Sequence, residues 1–456
     1  MWTQRDQIQA YQFLRRRLVS ALVSADANHP ASPSKRLVLG VAIGAAVALL
    51  TTAVFGVIGL LSPSRAEEWR QGGQVIVEKE TGARFVLGDD GALHPVLNYA
   101  SARLLAGGDG AKTVSVPAKS LAGTPRGAAV GIPGAPDSLP QNDKLLAGPW
   151  TRCSRISPDR PSGDAPISTV LLGQSRPGVA LRDGQGVLVR SSGGLFVLAS
   201  GQRHRLVGAA TPVALGYTAA NAIPVAPAWL TTVAAGRDLQ PIAVQHAGKA
   251  GPAVGTVPTR VGQVLATGAE YYVVRDDGLA VVTETEALLV LGTPANASAY
   301  PGDVPRPRRV APADVAAAPQ SDVTADGYPR RHPMPVVVER TATLCATGDR
   351  ITVGAGSPGA GSKPALPDPA AKAATEVYVP GGGGAVVEEQ PAPGVSAGAV
   401  YVITDTGMKY PVTGDKTVAA LGFGTAKRQG VPAAVLDLFP TGVTLNPDAA
   451  RKPVTG

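Results

Sequence analysis

From Leu37 to Leu61 the chain reads LVLGVAIGAAVALLTTAVFGVIGLL, 25 residues without a charge. As a helix this run reaches roughly 37 Å, enough to cross a hydrocarbon layer about 30 Å thick. It predicts one transmembrane helix over 37–61. A cleaved signal peptide fits poorly, because a 36-residue arm precedes the run, which is far longer than a signal h-region, and no A-x-A site follows it. Arg5, Arg15, Arg16, Arg17, Lys35 and Arg36 precede the span, whereas only Arg65 and Arg70 follow it closely. The positive-inside rule therefore places residues 1–36 in the cytoplasm as a cytosolic arm and everything after a 62–80 linker outside. The expected localisation is the cytoplasmic membrane, single-pass, with the C-terminal region periplasmic.

The arm also accounts for half of the net charge of +8, so the region beyond it is close to balanced. No basic run with a helix-turn-helix frame occurs there, which excludes nucleic acid as a partner class. Gly 55 and Pro 41 in 456 residues predict a folded but turn-rich chain. Only 20 aromatics, against abundant Ala, Val and Leu, predict small modular cores rather than a large barrel enzyme or a polytopic transporter.

One pattern recurs four times: a β-branched strand, a turn with Gly, a second short strand, an apolar segment ending in Gly, and a V-P or I-P step. The copies start at Arg84-Phe85-Val86-Leu87, Leu195-Phe196-Val197-Leu198, Tyr271-Tyr272-Val273-Val274 and Val400-Tyr401-Val402-Ile403. Their steps are Val116-Pro117, Ile223-Pro224 and Val431-Pro432, with no clear step in the third copy. A turn glycine at positive φ joins a hairpin whose inner face the apolar segment can cover as a helix, so each copy reads as a small hairpin-plus-helix module. Such units need neighbours to be stable. The expected order is repeat 1 at 81–145, core segment 146–185, repeat 2 at 186–245, core segment 246–262, repeat 3 at 263–320, core segment 321–394 and repeat 4 at 395–450. Strand-like runs Thr169-Val170-Leu171-Leu172 and Val336-Val337-Val338-Glu339 fall in the core segments. The fold class is thus a cytosolic amphipathic helix, one membrane helix, and an α+β, β-rich periplasmic region of four repeats around a central core domain.

Cys153 and Cys345 are the two cysteines. An exported location favours a disulfide between them, with metal binding as the alternative, although no C-x-x-C or nearby His completes a zinc set. In the arm, Ile8, Tyr11, Leu14 or Arg15, Leu18, Leu22 and Ala25 recur at helical spacing, with Phe13 adding to the apolar surface. A helix lying on anionic lipid and a helix docking into a groove of a cytosolic partner are both consistent with this pattern. Docking is the reading taken here, with Tyr11, Phe13, Leu14, Leu18 and Leu22 as the contact residues.

The arm from Tyr11 to Leu22, the single span, the Trp150-Thr151-Arg152-Cys153 and Thr343-Leu344-Cys345 segments and the four modules, in this order, resemble the EccB family of actinobacterial type VII (ESX) secretion systems. The resemblance covers nearly the whole chain. It implies four periplasmic repeats around a core, a core disulfide at Cys153 and Cys345, and a structural role in an inner-membrane complex with an EccC-like motor ATPase, EccD and EccE, with self-association through the periplasmic region. Ser24-Ala25-Asp26-Ala27-Asn28 departs from the more basic continuation usual in that family. The alternative functions are a periplasmic module gripping a cell-wall polymer and, less favoured, an ATPase; the first would call for repeated exposed aromatic clusters.

Three further motif matches lack their context. Gly394-Val395-Ser396-Ala397-Gly398 fits a nucleophile elbow, but a strand follows it and no His lies beyond His332. Gly354-Ala355-Gly356-Ser357-Pro358-Gly359 is followed by Ala360-Gly361-Ser362-Lys363-Pro364, which does not open a phosphate-binding helix. Gly414-Asp415-Lys416-Thr417 lacks the leading Gly of a phosphate loop, since Lys409 stands there. His29, His94, His204, His246 and His332 are too scattered for a metal site, and the equivalent placement of His94, His204 and Tyr410 in their repeats points to packing. No catalytic residue, cofactor or metal is expected.

Overall fold

The computed structural model describes residues 3–25, 33–61, 68–107, 112–156, 165–176, 178–323, 327–356, 374–392, 395 and 398–454. Gly394, Ser396 and Ala397 of the elbow match and residues 357–373 after the glycine run lie outside these, as do 26–32 of the arm and 62–67 of the expected linker. Two compact units emerge, Met1–Gln71 and Gly72–Gly456.

In the first unit, α1 (Gln4–Ser24) starts where the Asp6 carboxylate accepts hydrogen bonds from the backbone N–H and hydroxyl of Thr3, at 3.1 and 2.6 Å. It ends at Ala25, whose φ of 52° is left-handed. The expected apolar stripe therefore stops at Leu22 and excludes Ala25. α2 (Pro33–Leu61) contains the apolar run, and Val38–Val57 is long and apolar enough to cross a membrane.

In the second unit, module 1 opens with antiparallel strands β1 (Gln74–Glu78), β2 (Arg84–Leu87) and β3 (Leu93–Pro95), then α3 (Tyr99–Ala106), then β4 (Lys112–Val116) parallel to β1, then α4 (Ala118–Leu121). The central strands β5 (Trp150–Ile156), β6 (Pro166–Leu172) and β7 (Val179–Ala180) follow. Module 2 comprises β8 (Gln185–Ser191), β9 (Gly194–Ala199), β10 (Gln202–Arg205), α5 (Ala210–Ala214), β11 (Ile223–Pro224), α6 (Pro227–Thr231) and β12 (Ala234–Ala235). Module 3 comprises β13 (Val264–Thr267), β14 (Glu270–Val274), β15 (Leu279–Val282), α7 (Glu284–Leu291), β16 (Arg308–Arg309) and α8 (Pro312–Ala317). After β17 (Met334–Pro335), which adds to β8, come the central strands β18 (Thr343–Thr347), β19 (Arg350–Gly354) and β20 (Glu376–Tyr378). Module 4 closes the chain with β21 (Ala385–Gln390), β22 (Val400–Ile403), β23 (Lys409–Val412), α9 (Gly414–Ala420), β24 (Gln429–Pro432) and α10 (Ala433–Leu436).

All four modules follow one recipe. After its second helix each chain segment returns beside the third strand, through the parallel bridges Leu93–Arg126, Leu206–Leu239, Leu279–Gln320 and Lys409–Thr441. The first helix and this return cover opposite faces, because side chains alternate along the second strand. Val86, Val197, Val273 and Val402 pack on the first-helix side. Phe196, Tyr272 and Tyr401, one residue earlier, pack against the second helices α6, α8 and α10. Each module is a miniature α/β/α sandwich, larger than a hairpin plus one helix.

Several expected boundaries shift accordingly. The 62–80 linker contains β1, and the 321–394 core segment contains β21; both are first strands whose partners are the parallel fourth strands, a long-range pairing. Residues 246–262 serve module 3, where Val254 and Val261 join its two cores, and they form no strand of the central sheet. The third copy does have its step, at Val310-Ala311-Pro312, with Ala311 as N-cap of α8. Val336–Glu339 is not a strand; the pairing lies two residues earlier in β17.

Candidate functional site

The central sheet runs β20-β6-β5-β18-β19-β7, with its halves supplied before and after modules 2 and 3. The halves interleave, meeting at β20–β6, at β19–β7 and at a central seam of β5 against β18, where Cys153 stands directly opposite Cys345. Their Sγ atoms are bonded at 2.07 Å and both residues are buried. Alternation puts Thr151, Thr169, Leu171, Thr347, Glu376 and Tyr378 on the disulfide face. There the Thr151 and Thr347 hydroxyls meet at 2.9 Å, and Glu376 receives Arg155 at 3.4 Å and Thr169 at 3.0 Å.

The opposite face, with Val170, Leu172, Leu344 and Ala346, is where two modules dock side by side. From module 2, the fully buried Trp229 of α6 donates through Nε1 to the Arg152 carbonyl at 2.9 Å, and the Ala226 N–H donates to Ser154 Oγ at 3.0 Å. From module 4, Phe439 meets Trp150 edge to face at 6.0 Å, and Trp150 Nε1 donates to Gln429 Oε1 at 3.3 Å. Modules 1 and 3 attach outside these: α3 shares a core with α9, and Leu289 of α7 enters the core of module 2. Gly292, at the end of α7, lies so near Ala214 of α5 that any Cβ there would collide with it.

The docked and outer modules differ at one register position. Leu93 and Leu279, in modules 1 and 3, are fully buried hydrocarbons. Their counterparts are Arg203 and Lys409, which donate to the Leu230 and Leu436 carbonyls at the ends of α6 and α10, at 2.5 and 2.7 Å. Burial lowers the pKa of both cations. Cations at helix C-termini satisfy carbonyls that the central sheet shields from water.

The repeated His and Tyr are packing residues. His94 and His204 turn Nδ1 to the carbonyls of Ala128 and Arg237, at 3.0 and 2.9 Å. Rings of His94, His204 and Tyr410 lie against Gly127, Gly236 and Gly442, where a Cβ would clash. Burial lowers the pKa of His204, against opposing pulls from the Arg237 carbonyl and Asp238. The aromatics that a polymer-gripping surface would present outward are instead turned beneath the second helices. No group of three or more potential metal ligands occurs among the described residues.

On α1, Tyr11, Phe13, Leu14, Leu18 and Leu22 are all exposed, Tyr11 at 70 % and Leu22 at 77 %. Tyr11, Leu14, Leu18 and Leu22 share a stripe, but Phe13 sits about 200° from Tyr11 at 100° per residue and stacks under Arg17 at 5.7 Å. Sequence reasoning missed Trp229 and its partner Arg152; the available signal was a tryptophan in the short segment after the Ile223-Pro224 step, where no other copy carries an aromatic residue.

The family described as Type VII secretion system ESX-1, transport TM domain B, matches residues 1–454. The chain is 29 % identical to the ESX-3 secretion system ATPase EccB3 of Mycobacterium tuberculosis, across 97 % of this chain and 88 % of that one. It is 28 % identical to the ESX-1 secretion system ATPase EccB1 of Mycolicibacterium smegmatis, across 98 % and 94 %. Among solved structures, an EccB3 dimer from the ESX-3 core complex aligns with a TM-score of 0.65 at 27 % identity, covering 83 % of this chain and 99 % of that one. A chain of the intact ESX-5 inner membrane complex aligns over 100 % and 96 %, with a TM-score of 0.67 and 24 % identity.

Proposed function

From the chain's membership of the EccB family of type VII secretion systems, we infer that it is a structural subunit of an ESX inner-membrane core complex. It is a single-pass inner-membrane protein whose modular region braces the complex on the periplasmic side for protein export. The observation carrying this reading is the whole-length agreement with EccB chains, including one solved as a dimer from a core complex. The partners are an EccC-like motor ATPase, EccD, EccE and a second copy of this chain. Gentle detergent extraction from the native cells tests this: an EccC-like motor and EccD should co-purify, and their absence from every preparation refutes it.

Relatives carry the word ATPase in their names. A non-enzymatic role for this chain is supported by the fate of Gly414-Asp415-Lys416-Thr417, the nearest approach to a phosphate loop. It opens the seven-residue α9 with Thr417 buried and its hydroxyl donating to the Thr413 carbonyl at 2.6 Å. Purified full-length chain should show no ATP turnover above that of a Lys416→Ala variant.

The arm gives the complex a cytosolic contact. The exposed stripe Tyr11, Leu14, Leu18 and Leu22 suits helix-in-groove docking to a cytosolic region of the EccC-like motor or EccD, and Phe13 adds a second apolar edge.

A further inference from the structure

In modules 1 and 4 a cation of the same module covers the aromatic ring of the second strand: Arg126 lies 4.4 Å over Phe85, and Lys409 lies 5.1 Å over Tyr401. Module 3 buries its ring, leaving Tyr272 only 8 % exposed. Module 2 does neither. Its third-strand cation, Arg203, is drawn away to the Leu230 carbonyl. Its return strand offers Ala235 opposite that position, where module 1 has Arg126. What remains beside Phe196 is an open cavity of about 370 Å³ lined by Phe196, Arg203, Arg205, Ala235 and Asp238. Arg205 stands directly across from Phe196, and among the described residues neither it nor Asp238 forms an ion pair. The cavity thus presents an apolar ring flanked by one unengaged cation and one unengaged anion.

Module 3 carries the converse. After the buried Tyr300 the chain reads Pro301-Gly302-Asp303-Val304-Pro305-Arg306-Pro307. Gly302 takes a φ of 77°, and the Asp303 N–H donates to the Tyr300 carbonyl at 3.1 Å, which makes a tight turn. The Tyr300 hydroxyl accepts from the Val264 N–H at 2.7 Å and anchors the base of that turn. Three prolines fix φ around the tip, so little freedom is left to lose on binding. Val304 is 79 % exposed, more than any other large hydrophobic among the described residues. Asp303 and Arg306 beside it are exposed and form no ion pair. The loop is an apolar knob flanked by one anion and one cation, the complement of the cavity in module 2. Within one chain the two do not meet, because the knob stays bare and the cavity open.

The modules that carry them are also opposite in charge. Residues 186–245 hold Arg190, Arg203, Arg205 and Arg237 against Asp238 alone, whereas residues 263–320 hold seven acids against four arginines. Such a difference steers module 3 of one molecule towards module 2 of another and sets like modules apart.

We propose that the 301–306 loop of one copy seats in the module 2 cavity of a second copy of this chain, with Val304 on Phe196, Asp303 on Arg205 and Arg306 on Asp238. This rests on the reading above, in which a second copy is a partner, and it names the surface that holds that copy. Every molecule offers one loop and one cavity, so the contact closes in a two-fold pair or in a ring.

Two differently tagged full-length chains, one with Ala235→Cys and the other with Val304→Cys, are co-expressed and their membranes mildly oxidised. A mixed disulfide-linked dimer should form. Ala235→Cys paired with Val213→Cys, whose native side chain is 76 % exposed on α5, should give only background. In a second arm, Asp303→Arg and Arg205→Asp should each raise the dissociation constant for self-association in detergent by on the order of tenfold, and a chain carrying both should recover much of the loss. Both positions are exposed, so melting temperatures near that of the wild type confirm that each variant is folded. No mixed dimer above background, or an Asp303→Arg chain that self-associates like the wild type, overturns the proposal. Co-purification of an EccC-like motor and EccD is read from the same extracts. Partners retained while the cross-link fails refute this contact alone, whereas partners absent from every preparation refute the structural-subunit reading.

Discussion

Replacing both Cys153 and Cys345 by Ala isolates the contribution of the staple at the central seam. The two residues are 192 positions apart, so in the chain-constraint description the bond removes about 5 kcal/mol of loop-closure entropy from the unfolded chain. Two structural terms modify that figure. Thr151 to Ser154 still pair with Leu344 to Thr347 in the variant, which limits damage to the folded state. Against this, two buried sulfurs packed on Leu171 are lost, leaving a small void. The expected net loss is therefore about 3–5 kcal/mol. Urea unfolding followed by tryptophan fluorescence reads it directly, because Trp150 and Trp229 both lie on the sheet whose seam is being weakened. Reduction of the wild type should reproduce the double variant. A loss below about 1 kcal/mol would mean that the unfolded chain is already held compact, and the entropy argument would fail.

Trp229→Ala should destabilise by about 3–5 kcal/mol, since it empties the fully buried anchor of α6, and Trp229→Phe by clearly less; equal effects would show that the ring volume is not what matters. The folded-state pKa of His204 lies below its ordinary value near 6.5, so the unfolded chain takes up the proton first as pH falls. Its contribution to stability is complete above about pH 6.5 and is lost on acidification below it; His204→Gln should flatten that part of a melting-temperature profile, and an unchanged slope refutes the assignment. Replacing Tyr11, Leu14 and Leu18 together by Ala should leave insertion and periplasmic folding intact while co-purification of partners falls sharply. Wild-type recovery of partners would reduce the arm to a lipid anchor. A reporter active only outside the cytoplasm should work when fused after Gly456 and fail before Lys35, and the reverse pattern overturns the topology.

What the sequence displays are the contiguous and locally closed features. The membrane helix is one unbroken apolar run, and the hairpins announce themselves because glycines such as Gly91, Gly201 and Gly407 take positive φ in their turns. Two of the four fourth strands, β11 and β16, are only two residues long, below any usable period. The second helices are four to six residues long and start at Pro or Ala, so they look like loops. β1 and β21 were misplaced because their parallel partners lie beyond an intervening helix, and nothing local marks them as belonging to the module that follows. Arg152 is invisible for a related reason: a cation inside a strand reads as an outward-facing residue until the sheet is assembled around it.

The split of the central sheet around modules 2 and 3 also sets a timetable. A chain made and exported from its N-terminus presents β5 and β6 long before β18 exists. At about 5–20 residues per second, 192 residues represent roughly 10–40 s of synthesis. Throughout that interval β5 and β6 can pair only with each other, so the outer edge of β6 waits for β20 and the free Cys153 thiol waits for β18, while module 1 ahead of them and modules 2 and 3 behind them can already close. The half-sheet is therefore the stretch of the newborn protein most in need of a holding chaperone, and Cys153 the thiol most exposed to wrong pairing with another chain. A slower export rate would lengthen that window in direct proportion and should raise the yield of disulfide-linked dimers joined through Cys153.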